Sequence, residues 1–340
     1  MKLPNHRNLL LAVTSLALSA SAFSAPSVRT ITDVWGGTSN GNIAQGCTTF
    51  GPIPDLSAFF NGGGFRALGG NTACGFTGVT SDQTANSGAL LVNQVLPPVA
   101  LDTLGSSFGG AAGARASFSS LGVSAQGVLA GNTSGTTASV ATGAAFFHDT
   151  LMATSPQVAP SAAGFVRYVF SMDGHLAAPA GQASVKLDIQ QDGGPIYDLG
   201  RLGALTGDLG TFAAIDGSAS TWVLGPASVA GAGTFGSTLH VPFFGDVDLP
   251  MVWGNPWNLT VGLLAQTNRS ADASFMASAK LIDVQLFDSA HHRIDDFTLS
   301  SASGTDYLNP QVGAVPEPAG WALMLIGGAA LMAARRRAPR

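Results

Sequence analysis

The sequence predicts an all-β protein: a β-sandwich ectodomain of jelly-roll-like build, followed by a short C-terminal transmembrane helix. Three observations predict it. Short runs rich in β-branched and aromatic residues recur at roughly 10–20-residue spacing, separated by Gly, Asn, Asp and Pro. No stretch of the body sustains a 3.6-residue apolar period with helix caps. Charged residues make up only 10% of the chain while glycine alone supplies 44 residues. The surface must therefore be built from small, hydroxyl and backbone groups, as in many secreted β proteins.

In chain order, the first element is an export signal. Lys2 and Arg7 precede an apolar stretch from Leu9 to Ala20, and the small residues Ser19 to Ala25 follow. This is the layout of a secretory signal peptide covering residues 1–24, with the mature chain beginning near Phe23 or Ala25. Residues 25–312 form the ectodomain. Its first part, 25–155, is lower in complexity, with tracts such as Gly109-Gly-Ala-Ala-Gly113, and contains the loosely alternating run Arg115–Leu129. Its second part, 160–312, has denser strands: Gly164–Met172 up to the turn signal Asp173-Gly174, and Val185–Gln191 up to Asp192-Gly193. Further runs follow at Thr221–Leu224, Ser237–Val241, Trp257–Leu264, Ala273–Phe287 and Phe297–Ser300, with a turn between Asp288 and Asp295. The two parts are either one sandwich or two domains; one is favoured, because the first part is too poor in large apolar residues to hold a core alone.

From Arg29 to Asp306 the chain carries nine bases against nineteen aspartates, a net charge of −10; the other six bases sit in the two ends. Such a body lacks the clustered Lys and Arg that nucleic-acid binding requires. The two cysteines, Cys47 and Cys74, are expected to form a disulfide in an exported chain. Closing that Gly- and Pro-rich loop would stabilise the fold by about 3.5 kcal/mol on the chain-entropy model.

Candidate chemistry is sparse. Gly37-Thr-Ser-Asn-Gly41 has nucleophile-elbow spacing without the helix that motif needs. Gly231-Ala-Gly-Thr-Phe-Gly236 matches a dinucleotide fingerprint but is followed by a strand pattern, so it reads as a turn. His291-His292 lies among aspartates, yet adjacent strand residues point to opposite faces and chelate poorly together. No metal or other cofactor is expected. Asp246 and Asp248, near Trp253 and Trp257, form the one suggestive cluster. They could line a sugar-binding or sugar-cleaving face, although core packing is the plainer role for the tryptophans.

The C-terminus carries the sharpest pattern. The single glutamate, Glu317, lies in Val315-Pro316-Glu317-Pro318 and is followed by the apolar run Trp321–Ala334 and by Arg335-Arg336-Arg337. As a helix those 14 residues would span about 21 Å, short of a hydrocarbon core of about 30 Å. Leu323, Leu325, Ile326 and Leu331 supply the apolar surface. Trp321 suits one interface and the arginines the cytoplasmic side. The prolines keep the preceding peptide extended. This order resembles the PEP-CTERM sorting signal of Gram-negative bacteria, which a membrane-embedded exosortase recognises and cuts. Phe165–Gly174, Ala271–Asp288 and Phe297–Tyr307 also look like the closing strands of PEP-CTERM ectodomains.

The resemblance implies a non-enzymatic exported protein, first tethered to the inner membrane and then placed at the cell surface or in a biofilm exopolysaccharide matrix. Its partners would be the exosortase, the inner membrane and extracellular polysaccharide. A carbohydrate-binding or carbohydrate-cleaving module using Asp246 to Trp257 is the rival reading, and a calcium-dependent adhesin the third.

Overall fold

The β-branched and aromatic runs pair into one open antiparallel sheet in the computed structural model. The structure describes residues 25–38, 76–131, 137–172, 174–205, 212–215, 221–224, 232–235 and 248–309. The first strands are β1 (Ser27–Thr38), β2 (Phe76–Ala85), β3 (Leu90–Ala100), β4 (Ser107–Ser117), β5 (Ser120–Ala130) and β6 (Thr137–Thr154). Next come β7 (Ala163–Ser171), β8 (Gly174–Gln191) and β9 (Ile196–Leu205), then the short β10 (Phe212–Ile215), β11 (Thr221–Leu224) and β12 (Ala232–Phe235). The chain closes with β13 (Leu249–Val252), β14 (Pro256–Asp288), β15 (Arg293–Ile294) and β16 (Thr298–Ser301). Among the described residues there is no helix long and apolar enough to cross a membrane. The signal peptide, Cys47, Cys74, Asp246, the run Ser237–Val241 and the whole C-terminal signal lie outside the described residues.

β14 organises the sheet. The sequence pattern suggests two strands, Trp257–Leu264 and Ala273–Phe287, but they form one 33-residue strand. The polar stretch between them does not end the strand, because both of its edges are paired. Along one edge run β6, from Pro256↔Met152 to Asn268↔Val140, then β5, from Ala271↔Gly127 to Lys280↔Ser120. Along the other run β8, from Leu259↔Gln191 to Ser274↔His175, then β7, from Lys280↔Ser171 to Asp288↔Gly164. Arg269 adopts a left-handed backbone (φ 64°) beside a register shift at Ser270/Asp272, and a second shift falls between Phe275 and Ala279. Bulges of this kind bend and twist a strand, so β14 passes from pairing with β6 to pairing with β5.

Three local expectations change in the fold. β7 and β8, which flank the Asp173-Gly174 signal, do not pair as a hairpin but follow one another along the same edge of β14. Gly174 instead leaves room for an aromatic ring: a Cβ there would sit 2.3 Å from Cδ1 of Phe275. Arg115–Leu129 is not one strand but the β4–β5 hairpin, turning at Phe118 and Ser119. Gly231–Gly236, read as a turn, contributes β12, which pairs with Gly174–Ala177 of β8. By contrast, Asp192-Gly193 makes the expected hairpin, with φ of 51° and 66°, joining β8 to β9.

The sheet folds over itself, so that β4 packs against β1 and β6, and β5 against β6. One core of buried residues runs through both predicted parts of the body, from Val28 and Phe147 to Trp257, Phe275 and Leu286. The Gly/Ala tract that makes the first part look weak lies at this contact. It permits close approach in place of large side chains. The opposite side of the β1–β6–β14–β8 region is buried as well: Ile31, Ala144 and Leu264 form a second small cluster. The alternation in Val185–Gln191 therefore does not mark a solvated polar face. Lys186 and Asp188 are buried there as an ion pair at 2.8 Å.

Two hydroxyls on the core side of β1, Thr30 Oγ1 and Thr32 Oγ1, are fully buried and have no hydrogen-bond partner among the described residues. A buried unsatisfied polar group costs about 1–3 kcal/mol. Thr30→Val and Thr32→Val should each raise stability by about 1 kcal/mol, since valine keeps the branched shape and suits a strand. Urea unfolding checks this; a lower midpoint in either variant would mean that its hydroxyl is bonded.

Candidate functional site

Asp246 lies outside the described residues, and the two tryptophans of its cluster do not offer their rings to solvent. Trp253 and Trp257 are 1% and 2% exposed, and both belong to the core. The Trp257 Nε1–H donates to the Tyr168 hydroxyl at 2.7 Å, and that hydroxyl reaches Gln191 Oε1 at 3.4 Å. Gln191 Nε2 in turn donates to the Pro250 carbonyl at 2.6 Å. These bonds tie β14, β7, β8 and β13 together. Burial pushes the Tyr168 phenol far up, so it remains a neutral hydroxyl. The plainer role foreseen for the tryptophans is the one they have.

Asp248 is held in a different cluster. The β7 strand places Phe165 and Arg167 on one face, two residues apart. Arg167 clasps Asp248 with Nε to Oδ1 at 2.7 Å and Nη2 to Oδ2 at 3.1 Å. Its guanidinium also lies 4.8 Å from the ring centroid of Phe287, the residue paired with Phe165 across the strands. His291, in a left-handed conformation (φ 62°), brings Nδ1 to 3.2 Å from Asp248 Oδ2 and stacks on Phe165 at 4.0 Å. Both carboxylate oxygens of Asp248 are thus engaged. His292 turns instead to Asp288, Nδ1 to Oδ2 at 3.1 Å. The adjacent imidazoles go to separate carboxylates, as their placement in a β14–β15 hairpin loop suggests. Among the described residues, no group of three or more His, Cys, Asp or Glu side chains is arranged to hold a metal ion.

A buried carboxylate with four hydrogen bonds is a polar centre that sequence reasoning missed. Asp149 of β6 is fully buried. Its Oδ1 accepts the N–H groups of Thr150 at 2.8 Å and Ser303 at 3.0 Å. Its Oδ2 accepts the hydroxyls of Ser303 at 2.5 Å and Tyr307 at 2.9 Å. Three of the four donors belong to the segment after β16, which is the last described part of the chain. Tyr307 is itself 1% exposed, with its ring centroid 6.3 Å from that of Phe147. Burial, reinforced by Asp149, pushes the Tyr307 phenol well above its ordinary range, so it stays a donor. The signal was present in the pattern: Ala145, Phe147, Asp149, Leu151 and Ala153 share one parity of β6. An acid on an otherwise apolar strand face requires buried partners.

Comparison with known proteins finds no matching family model, no matching curated protein and no matching solved structure.

Proposed function

We propose that this chain is an exported β-sandwich protein of the cell surface or exopolysaccharide matrix, sorted by a membrane exosortase through its C-terminal signal. One observation carries the reading: Val315-Pro316-Glu317-Pro318, the apolar run Trp321–Ala334 and Arg335–Arg337 occur in that order at the chain's end. The role is one of substrate. The processing enzyme supplies the reacting groups, while this chain supplies an extended peptide at the membrane surface and a short apolar span behind it. The acidic body and its small-residue surface suit a protein kept soluble beside an acidic envelope or polysaccharide. The rival sugar-site reading loses its main support, because the tryptophan rings that would stack on a sugar face the core.

Glu317→Gln, or alanine in place of Pro316 and Pro318 together, should leave an uncut precursor in the inner membrane. Cell fractionation with intact-mass measurement of the C-terminus reads the outcome. Cutting and release at the parent rate would refute the sorting role.

A further inference from the structure

We infer that Asp149 is the catch of a C-terminal strap, residues 298–307, which fixes the point where the chain leaves the body towards its sorting signal. β16 is only four residues long, and its side chains alternate between exposed and half-buried. A strand that short, paired on one edge to Thr154–Leu151, is a weak attachment by itself. Beyond it the strap folds around polar contacts. The Ala302 N–H donates to the Thr150 carbonyl at 2.8 Å, Ser301 Oγ–H to the Thr305 carbonyl at 2.9 Å, and the Thr305 N–H to Ser303 Oγ at 3.2 Å. Ser303 and Tyr307 then converge on Asp149, the one fully buried group these contacts share.

The dependence runs both ways. Without the strap, Asp149 keeps only the Thr150 N–H of its four donors. A carboxylate on the apolar face of β6 would then have to be rehydrated. Without a completed β6–β14 pairing, in which Asp149 sits opposite Leu259, the strap has nothing to close on. Such a mutually dependent element has two discrete states, closed on a finished body or open on an unfinished one.

The consequence for the tail follows from chain geometry. Six residues lie between Asn309 and Pro316, and the seven Cα–Cα steps reach about 25 Å at full extension. With the strap released back to Phe297, the tether to Pro316 is 19 Cα–Cα steps, a reach of about 65 Å. A closed catch therefore keeps the folded body near the membrane-surface peptide, so the peptide is offered for processing on a short leash. This effect on processing rests on the proposed sorting role, whereas the catch itself stands on the geometry.

Hydrogen exchange by mass spectrometry on the full chain in detergent micelles tests it, comparing the parent with Asp149→Ala and with the double variant Ser303→Ala/Tyr307→Phe. Amides of residues 298–309 should exchange at least tenfold faster in both variants, while residues 256–268 of β14 keep parent protection. The double variant alters only the strap and decides the matter if Asp149→Ala does not fold. Parent-like exchange across 298–309 in the double variant would overturn the inference. So would equal loosening of 256–268, because Asp149 would then be a core group with no specific hold on the strap. The measurement needs no exosortase: a failed catch leaves the Glu317 result standing, and a failed sorting role leaves the catch standing.

Discussion

Gly143→Val should destabilise the protein by about 4 kcal/mol, one of the largest effects of any single substitution in the body. A Cβ built on Gly143 of β6 would lie 2.4 Å from the Gly113 carbonyl oxygen of β4 and 2.7 Å from the Ser124 carbonyl oxygen of β5. Both obstacles are backbone carbonyl oxygens, on residues that are register partners in the facing β4–β5 pair, so no side-chain rotation relieves the clash. The layers must separate, which opens gaps beside Ala112, Ala114, Ala141 and Ala145, all buried with only a methyl group each. Small residues cannot expand to refill that space, so the cost of overpacking is compounded by lost contact around it. Urea unfolding of Gly143→Val against the parent reads the difference. At about 2–4 °C per kcal/mol for a domain of this size, the melting temperature should fall by roughly 8–16 °C. Gly143→Ala separates the causes: it should already show a large part of the loss, since the clash begins at Cβ. A near-neutral alanine variant would mean that the layers slide apart without penalty and that the small-residue contact is not what sets their spacing.

The same contact explains what the sequence did and did not reveal. Runs flanked by their own turn signals were legible: Gly164–Met172 became β7, and Asp192-Gly193 closed the β8–β9 hairpin. Where the controlling interaction lies far off in sequence, local signals mislead. Nothing near Gln266–Ser270 announces that β6, β5 and β8 pair around it and carry β14 through. Asp173-Gly174 has hairpin chemistry, but the room it provides is for Phe275, about a hundred residues away. The Gly109–Gly113 tract signals weakness if a core must consist of large side chains, and strength once a facing backbone comes close. The polar centres follow the same rule. Asp248 was singled out for its neighbours in sequence, while its partners are Arg167 and His291 from other strands. Asp149 was legible only as an acid of the wrong parity, because three of its four donors come from 154 and 158 residues downstream.

Asp33 should make stability fall as pH rises from about 4 to about 6.5, the reverse of ordinary carboxylate behaviour. Its side chain lies on the Ile31 side of β1, away from the main core, and is 3% exposed, with Thr80 Oγ1–H donating to Oδ1 at 2.7 Å. Burial raises its pKa to about 6, and the Thr80 hydrogen bond offsets only part of that rise. The folded protein thus binds a proton that the unfolded chain, near 3.8, has already released. With more protons bound in the folded state, stability declines with pH across that window. A rise of about two units corresponds to about 2–3 kcal/mol lost by pH 7 relative to pH 4. Asp102, Asp288 and Asp306 act in the opposite sense. Each is held below its usual range, first by the Ser106 N–H, the His292 N–H and the Asn309 side chain respectively, so each favours the fold as pH rises. The raw pH profile mixes these trends, and the difference between the parent and Asp33→Asn isolates one of them. Asparagine keeps the shape and an acceptor for Thr80 but has no proton to lose. The variant should match the parent at pH 4 and exceed it by about 2–3 kcal/mol at pH 7, measured by urea unfolding at each pH. A parent–variant difference that stays constant across the window would show that Asp33 titrates as it does in the unfolded chain, and that its carboxylate reaches water in the fold.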